Sequence, residues 1–139
     1  IHVFGGAPID GMAAAAWHQS PADSRNLFRK EAILVVPLRI ASGIRMKIIE
    51  AWARGTPVVA TPQAVRGLEA RHDHDVLLAA NGEEFAAAIY RLRTDPGLRL
   101  RIVDGGRRAL RSRLDPKLVG DLLVATYRQT DSDVASPLA

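Results

Sequence analysis

The residues of this sequence best placed to do chemistry stand close together. They are Ser42, Gly43, Ile44, Arg45, Lys47 and Glu50, at the opening of a stretch with helical periodicity. At a helix start several backbone N–H groups lack an intrahelical partner, and with the helix dipole they favour an anion, phosphate being the usual one. Gly43 removes a side chain from that approach. Arg45 and Lys47 add positive charge in the first turn, where the dipole disfavours cations, so a bound anion would compensate them. The competing reading points both side chains into solvent. Glu50 follows Lys47 by three residues, on the same helix face. An ionised carboxylate accepts two or more hydrogen bonds and suits vicinal hydroxyls such as a ribose pair. A Lys47–Glu50 surface ion pair, worth about 0.5 kcal/mol at most, explains the same spacing.

Other constellations are weaker. His72-Asp73-His74-Asp75 offers two imidazoles and two carboxylates but no third anchored partner, so a polar loop before a strand is expected there and no metal. The chain has no cysteine, which excludes disulfides, thiolate metal sites and a cysteine nucleophile. It holds no Gly-x-Ser-x-Gly elbow, no phosphate loop ending in Gly-Lys-Ser/Thr and no His-Glu-x-x-His. Between Arg91 and Arg128 ten basic residues face four acids, a surplus of six against +4 for the whole chain. That window reads as the solvated face of C-terminal helices or as contact with an anionic membrane surface. The one aromatic in this window is Tyr127, at its end, which leaves base stacking little to work with, so nucleic acid is not an expected partner.

The elements that must position these residues are legible in the periodicity. At 139 residues, 47% hydrophobic and 24% charged, the chain fits one globular domain, here placed at 1–129 with a frayed tail at 130–139. No apolar run approaches the roughly 18–20 residues of a membrane span. Residues 1–6 read as a strand, Ile9–Trp17 with its alanine run as a helix, His18–Asn26 as a loop and Leu27–Glu31 as one helical turn. Ala32–Val36, stopped by Pro37, reads as a fully buried strand. Ile44–Arg54 reads as a helix closed by Gly55, with Ile44, Ile48, Ile49 and Trp52 on one face. Val58–Thr61, stopped by Pro62, is a second buried strand. Strand, helix, glycine and strand in this order make a βαβ unit with parallel strands.

Further on, Asp75–Ala79 reads as a strand and Asn81-Gly82-Glu83-Glu84 as a capping box opening a helix to Thr94. Asp95-Pro96 and Asp115-Pro116 each start a helix, near Pro96–Arg113 and Pro116–Arg128. Gly105-Gly106 is expected to weaken or bend the first of these. The class is α/β, a parallel sheet covered on both faces. Ligands in such folds sit beyond the carboxyl ends of strands, which here are Pro37–Gly43 and Thr61–Gly67.

The stretch Val36-Pro37-Leu38-Arg39, then Ser42-Gly43-Ile44-Arg45-Met46-Lys47-Ile48-Ile49-Glu50-Ala51-Trp52-Ala53-Arg54-Gly55-Thr56-Pro57-Val58-Val59-Ala60-Thr61, then Gly67-Leu68, resembles bacterial glycosyltransferases of family four, often called group one. The resemblance extends over about residues 32–128, through Val76–Ala79, the Glu84–Leu92 helix and Asp95-Pro96. It implies a Rossmann-like α/β domain, the C-terminal, donor-binding half of a two-domain GT-B enzyme. Such enzymes move a hexose-type sugar from a UDP- or GDP-linked donor, mostly with retention, to a glycan, lipid-linked or small-molecule acceptor. Glu50 then resembles the second glutamate of the family's Glu-x7-Glu motif, which holds the donor ribose. Ser42 stands where many members carry the first glutamate. Ser42, Gly43 and Ile44 resemble the segment whose backbone faces the diphosphate and sugar. Arg45 and Lys47 become candidate phosphate contacts, and Thr61 and Gly67 the cleft rim.

No catalytic residue, metal or cofactor is assigned within the chain. The partners implied are the nucleotide-sugar donor, an N-terminal acceptor domain of the same protein and, optionally, an anionic membrane at its inner face, with a cytoplasmic location. Two other readings stay open. One is a nucleotide-binding module that has lost turnover, and the other is a basic peripheral module acting through the 91–128 helices.

Overall fold

Small and β-branched residues between Gly55 and Pro62 build the centre of this protein, because they pack on both faces of a pleated strand. The structure, a computed structural model, describes residues 2–4, 16–19, 24, 27–40, 43, 45–115, 117 and 121. Its elements run β1 (His2–Phe4), β2 (Ala16–His18), β3 (Leu34–Val36), α1 (Met46–Arg54), β4 (Val58–Ala60), β5 (Leu77–Leu78), α2 (Gly82–Thr94) and α3 (Pro96–Arg113). The strands β3, β4 and β5 form a parallel sheet in that spatial order, with Leu34 opposite Val58 and Val59 opposite Leu77. Among the described residues β1 and β2 pair separately, also in parallel, with His2 opposite Ala16. The β3–α1–β4 unit is the βαβ crossover expected from the periodicity.

Alternation along β4 divides the core. Val58 and Ala60 face α1 and pack with Ile48, Ala51 and Trp52, and Ala109 of α3 joins them. Val59 faces the other way and packs with Leu77, with Ala88 and Leu92 of α2, and with Leu98 and Ile102 of α3. Helices therefore cover both faces of the sheet, and α3 serves both layers. The capping signals act as the sequence predicts. Asn81 accepts a hydrogen bond from the Glu84 N–H at 3.0 Å, while the Glu84 carboxylate returns to the Ala80 N–H at 2.7 Å. Asp95 accepts from the Leu98 N–H at 2.8 Å, and Pro96 occupies the first turn. Gly55 ends α1 in the left-handed conformation, with φ of 71°. Lys117 and Asp121 are helical, and the Lys117 N–H donates to Asp115 at 2.8 Å.

Several expectations need correction. Ala16 and Trp17 lie in a strand, where parallel pairing with β1 outweighs the helix preference of alanine; 9–15 fall outside the described residues. Of Leu27–Glu31, only Leu27 is helical, in a 3-10 turn closed by its N–H to Ser24 O at 2.9 Å; a separate turn follows at 30–31, closed by Ala32 N–H to Arg29 O at 2.9 Å. Strand β3 is not fully buried: it lies at the end of its sheet, and Val35 is 37% exposed. Helix α3 runs through the glycine pair from Pro96 to Arg113, and the pair has a packing role that periodicity did not show. Gly105 and Gly106 are buried, and a Cβ there would stand 1.8 Å from the His74 carbonyl oxygen or 2.3 Å from Trp52 Cδ1. They allow α3 to lie directly on α1 and on the loop before β5. The tail at 130–139 lies outside the described residues.

Candidate functional site

A cleft of about 250 Å³ opens where the carboxyl end of β3 meets the amino end of α1. Val36, Leu38, Arg45, Met46 and Lys47 line it. This is the place where an open α/β sheet presents helix N-termini to a ligand. Arg45 stands at the N-cap of α1 with φ of −84° and ψ of 86°, and among the described residues no side chain caps the helix. The first turn holds no acidic residue. Ile48 and Ile49 N–H turn back to the Arg45 carbonyl at 2.9 and 3.4 Å, which leaves the amides of Arg45, Met46 and Lys47 without an intrahelical acceptor. Arg45 is half-buried in the cleft wall, whereas Lys47 is exposed. Two cations therefore flank an uncapped helix start.

Gly43 has φ of 69°, a conformation side chains rarely adopt, and among the described residues nothing stands within 4 Å of the place a Cβ would take. It is exposed, so its backbone is open to a ligand. Ser42 and Ile44 lie outside the described residues.

Glu50 sits one turn beyond Lys47, with 31% of its side-chain surface open. The Lys47–Glu50 pair suggested by spacing is replaced by another set of contacts. Glu50 Oε1 accepts from Arg54 Nε at 3.0 Å and from the Ser24 hydroxyl. The Arg54 guanidinium in turn lies 5.3 Å from the centre of the Phe28 ring, within cation–π reach. Sequence reading missed Ser24 and Phe28, because they meet α1 only through tertiary packing. Arg54 was visible as an i,i+4 partner of Glu50.

Thr61 is buried, and its hydroxyl is engaged twice. It donates to the Leu38 carbonyl and accepts from the Ala64 N–H at 3.2 Å. The residue thus holds the loop that carries Leu38 into the cleft wall. Gly67, with φ of 80°, is exposed and does not line the cleft.

The His72–Asp75 stretch is tied into the framework. His72 Nδ1 accepts from the Leu78 N–H at 2.9 Å, and Asp73 pairs with Arg91 at 3.1 Å. Asp75 is buried, accepts from Arg71 Nε and Arg113 Nη1 at 3.3 Å each, and offers its carbonyl to Trp52 Nε1 at 3.0 Å. Of the C-terminal arginines, Arg99 also binds backbone, donating to the carbonyls of Lys30 and Ala32 at 2.8 and 2.9 Å. Arg93, Arg101, Arg107, Arg108 and Arg111 are exposed.

Comparison with known proteins decides the family. Residues 9–95 match the family described as "Glycosyl transferases group 1". The chain belongs to the group 1 glycosyltransferases. Among curated members, the lipopolysaccharide core biosynthesis glycosyltransferase LpsD of Rhizobium meliloti (strain 1021) is 38% identical over 74 residues. That match takes in 52% of this chain and 22% of the relative, so the chain spans about a fifth of the curated glycosyltransferase it resembles. No solved structure matches the chain. The observed parallel sheet flanked by helices is the Rossmann-like architecture that the group 1 resemblance implies. No helix among the described residues is long and apolar enough to cross a membrane.

Proposed function

We propose that this chain is the donor-binding, C-terminal half of a two-domain GT-B glycosyltransferase. It holds a UDP- or GDP-linked hexose-type sugar for transfer, with retention, to a glycan, lipid-linked or small-molecule acceptor. The observation that carries this reading is the cleft at the uncapped start of α1, walled by Arg45 and Lys47 and followed one turn later by Glu50. In this account the diphosphate lies against the helix-start amides near Gly43 and Ile44, with Ser42 beside them. Arg45 and Lys47 neutralise its charge, and Glu50 accepts hydrogen bonds from the ribose hydroxyls. Thr61 shapes the cleft by fixing the Leu38 loop, and Gly67 belongs to the adjoining rim.

The chemistry asked of these groups is electrostatic. As the bond between the anomeric carbon and the diphosphate oxygen breaks, negative charge grows on the leaving phosphate. Fixed amides and cations stabilise that charge more than they stabilise the ground state. The acceptor and any general base come from the other half of the protein, so this chain by itself binds donor without turning it over. Isothermal titration of the chain with UDP, GDP and their hexose conjugates tests the reading. Saturable binding that is lost in Glu50→Ala supports it, and sugar transfer by the chain alone contradicts the division of labour.

The exposed arginines of α3 favour a second, compatible reading. Arg101, Arg107, Arg108 and Arg111, with the 63% exposed Leu100, suit contact with an anionic membrane surface. Binding to anionic vesicles that falls steeply with salt and ignores nucleotide is its test.

A further inference from the structure

We infer that Ser24 and Arg54 are positioning residues for Glu50: together they occupy one carboxylate oxygen and so leave the other to receive the ribose hydroxyls. The inference rests on the reading of Glu50 as the ribose contact.

Both donors converge on the same atom. The Ser24 hydroxyl and Arg54 Nε donate to Oε1, and no hydrogen bond reaches Oε2 among the described residues. A glutamate on a helix surface samples several rotamers, and ordering it costs side-chain entropy. Two donors from different elements remove much of that freedom before any ligand arrives. Arg54 approaches from the same helix, one turn on. Ser24 approaches from outside it, across 26 residues of sequence.

Ser24 and Phe28 both act on the carboxylate. Ser24 does so directly, and its own carbonyl accepts the Leu27 N–H at 2.9 Å. Phe28 does so indirectly, by seating the Arg54 guanidinium against its ring. Arg54 is thus held on one side by an aromatic face and on the other by Glu50. A mere surface ion pair requires neither the serine nor the ring. The lone pairs of Oε2 remain the acceptors for a vicinal diol, which offers two O–H donors about one carbon–carbon bond apart.

The test measures ribose discrimination by the full chain. Dissociation constants are taken for UDP and GDP and for their 2′-deoxy counterparts, and the deoxy-to-ribo ratio is the readout. A hydrogen bond to a charged group sets the unmodified chain's ratio at about tenfold. Glu50→Ala brings it to about one. Ser24→Ala cuts it to about threefold or less, and Ser24→Thr, which keeps the hydroxyl, restores it. Thermal melts of each variant separate loss of fold from loss of discrimination. A ratio unchanged in Ser24→Ala but abolished in Glu50→Ala overturns the positioning role and leaves the ribose contact standing. Equal weakening of ribo and deoxy ligands in Ser24→Ala also overturns it, since that is a purely structural effect. A ratio of one in the unmodified chain removes the ribose contact and this proposal with it.

Discussion

Replacing Gly105 by alanine sets two physical effects against each other. Helix propensity alone credits Gly→Ala inside a helix with about 1 kcal/mol of added stability. Packing opposes this. A Cβ at 105 would stand 1.8 Å from the His74 carbonyl oxygen and 2.7 Å from its carbon. Ordinary contact lies near 3.5 Å, so helix and loop must separate by about 1.5 Å. Neither yields cheaply. The obstructing atom is backbone, next to buried Asp75, whose carboxylate binds Arg71 and Arg113. Inserting a methyl group into such a site costs about 1–3 kcal/mol and sometimes more. The loop carries the Asp75 carbonyl that accepts from Trp52, so displacing it also strains α1. Because the clash is with backbone, the cost sits near the upper end, about 3 kcal/mol, and after the propensity gain of about 1 kcal/mol the expected net destabilisation is about 2 kcal/mol, lowering the melting temperature by roughly 6–10 °C. Thermal and urea unfolding by circular dichroism measure it. Gly82→Ala is the control: it lies in the first turn of α2 with nothing within 4 Å of its Cβ position, and is expected to be neutral or slightly stabilising. A rise in melting temperature for Gly105→Ala would refute the close approach of α3 to the loop before β5.

The remaining predictions concern the site and its supports. Lys47→Ala weakens UDP or GDP binding by about threefold to tenfold at low salt and less at high salt, with the melting temperature nearly unchanged because the side chain is exposed. Trp52→Phe keeps most of the buried ring but strands the Asp75 carbonyl, and urea titration should show a loss of about 1–2 kcal/mol. Arg99→Ala releases the carbonyls of Lys30 and Ala32, and hydrogen exchange should quicken across 30–34 while α2 stays protected. Thr61→Val removes the bond to the Leu38 carbonyl; nucleotide binding should weaken about threefold or more through the displaced cleft wall, read by isothermal titration.

Local chemistry made much of this fold legible in the sequence. The β3–α1–β4 unit shows in its switch of period, and Asn81, Asp95 and Gly55 mark helix ends with side chains or backbone freedom that act within a few residues. The position of Arg45 and Lys47 at a helix start was equally readable, since it depends only on where α1 begins. What escaped depends on contacts between distant segments. The alanines before Trp17 favour a helix by themselves, yet pairing with His2–Phe4 makes Ala16–His18 a strand. A glycine pair inside a helix looks like a weakness until the neighbours that demand it, His74 and Trp52, are in place. Spacing alone pairs Glu50 with Lys47, and only Ser24, 26 residues away in sequence, supplies the hydroxyl from which it accepts.

Amide NMR titration of the chain with UDP-glucose, GDP-mannose, UDP and GDP tests the central claim most directly. The account predicts saturable shifts centred on residues 43–50, with smaller ones at 61–67, all absent in Glu50→Ala. A folded spectrum that does not move at millimolar nucleotide would contradict it.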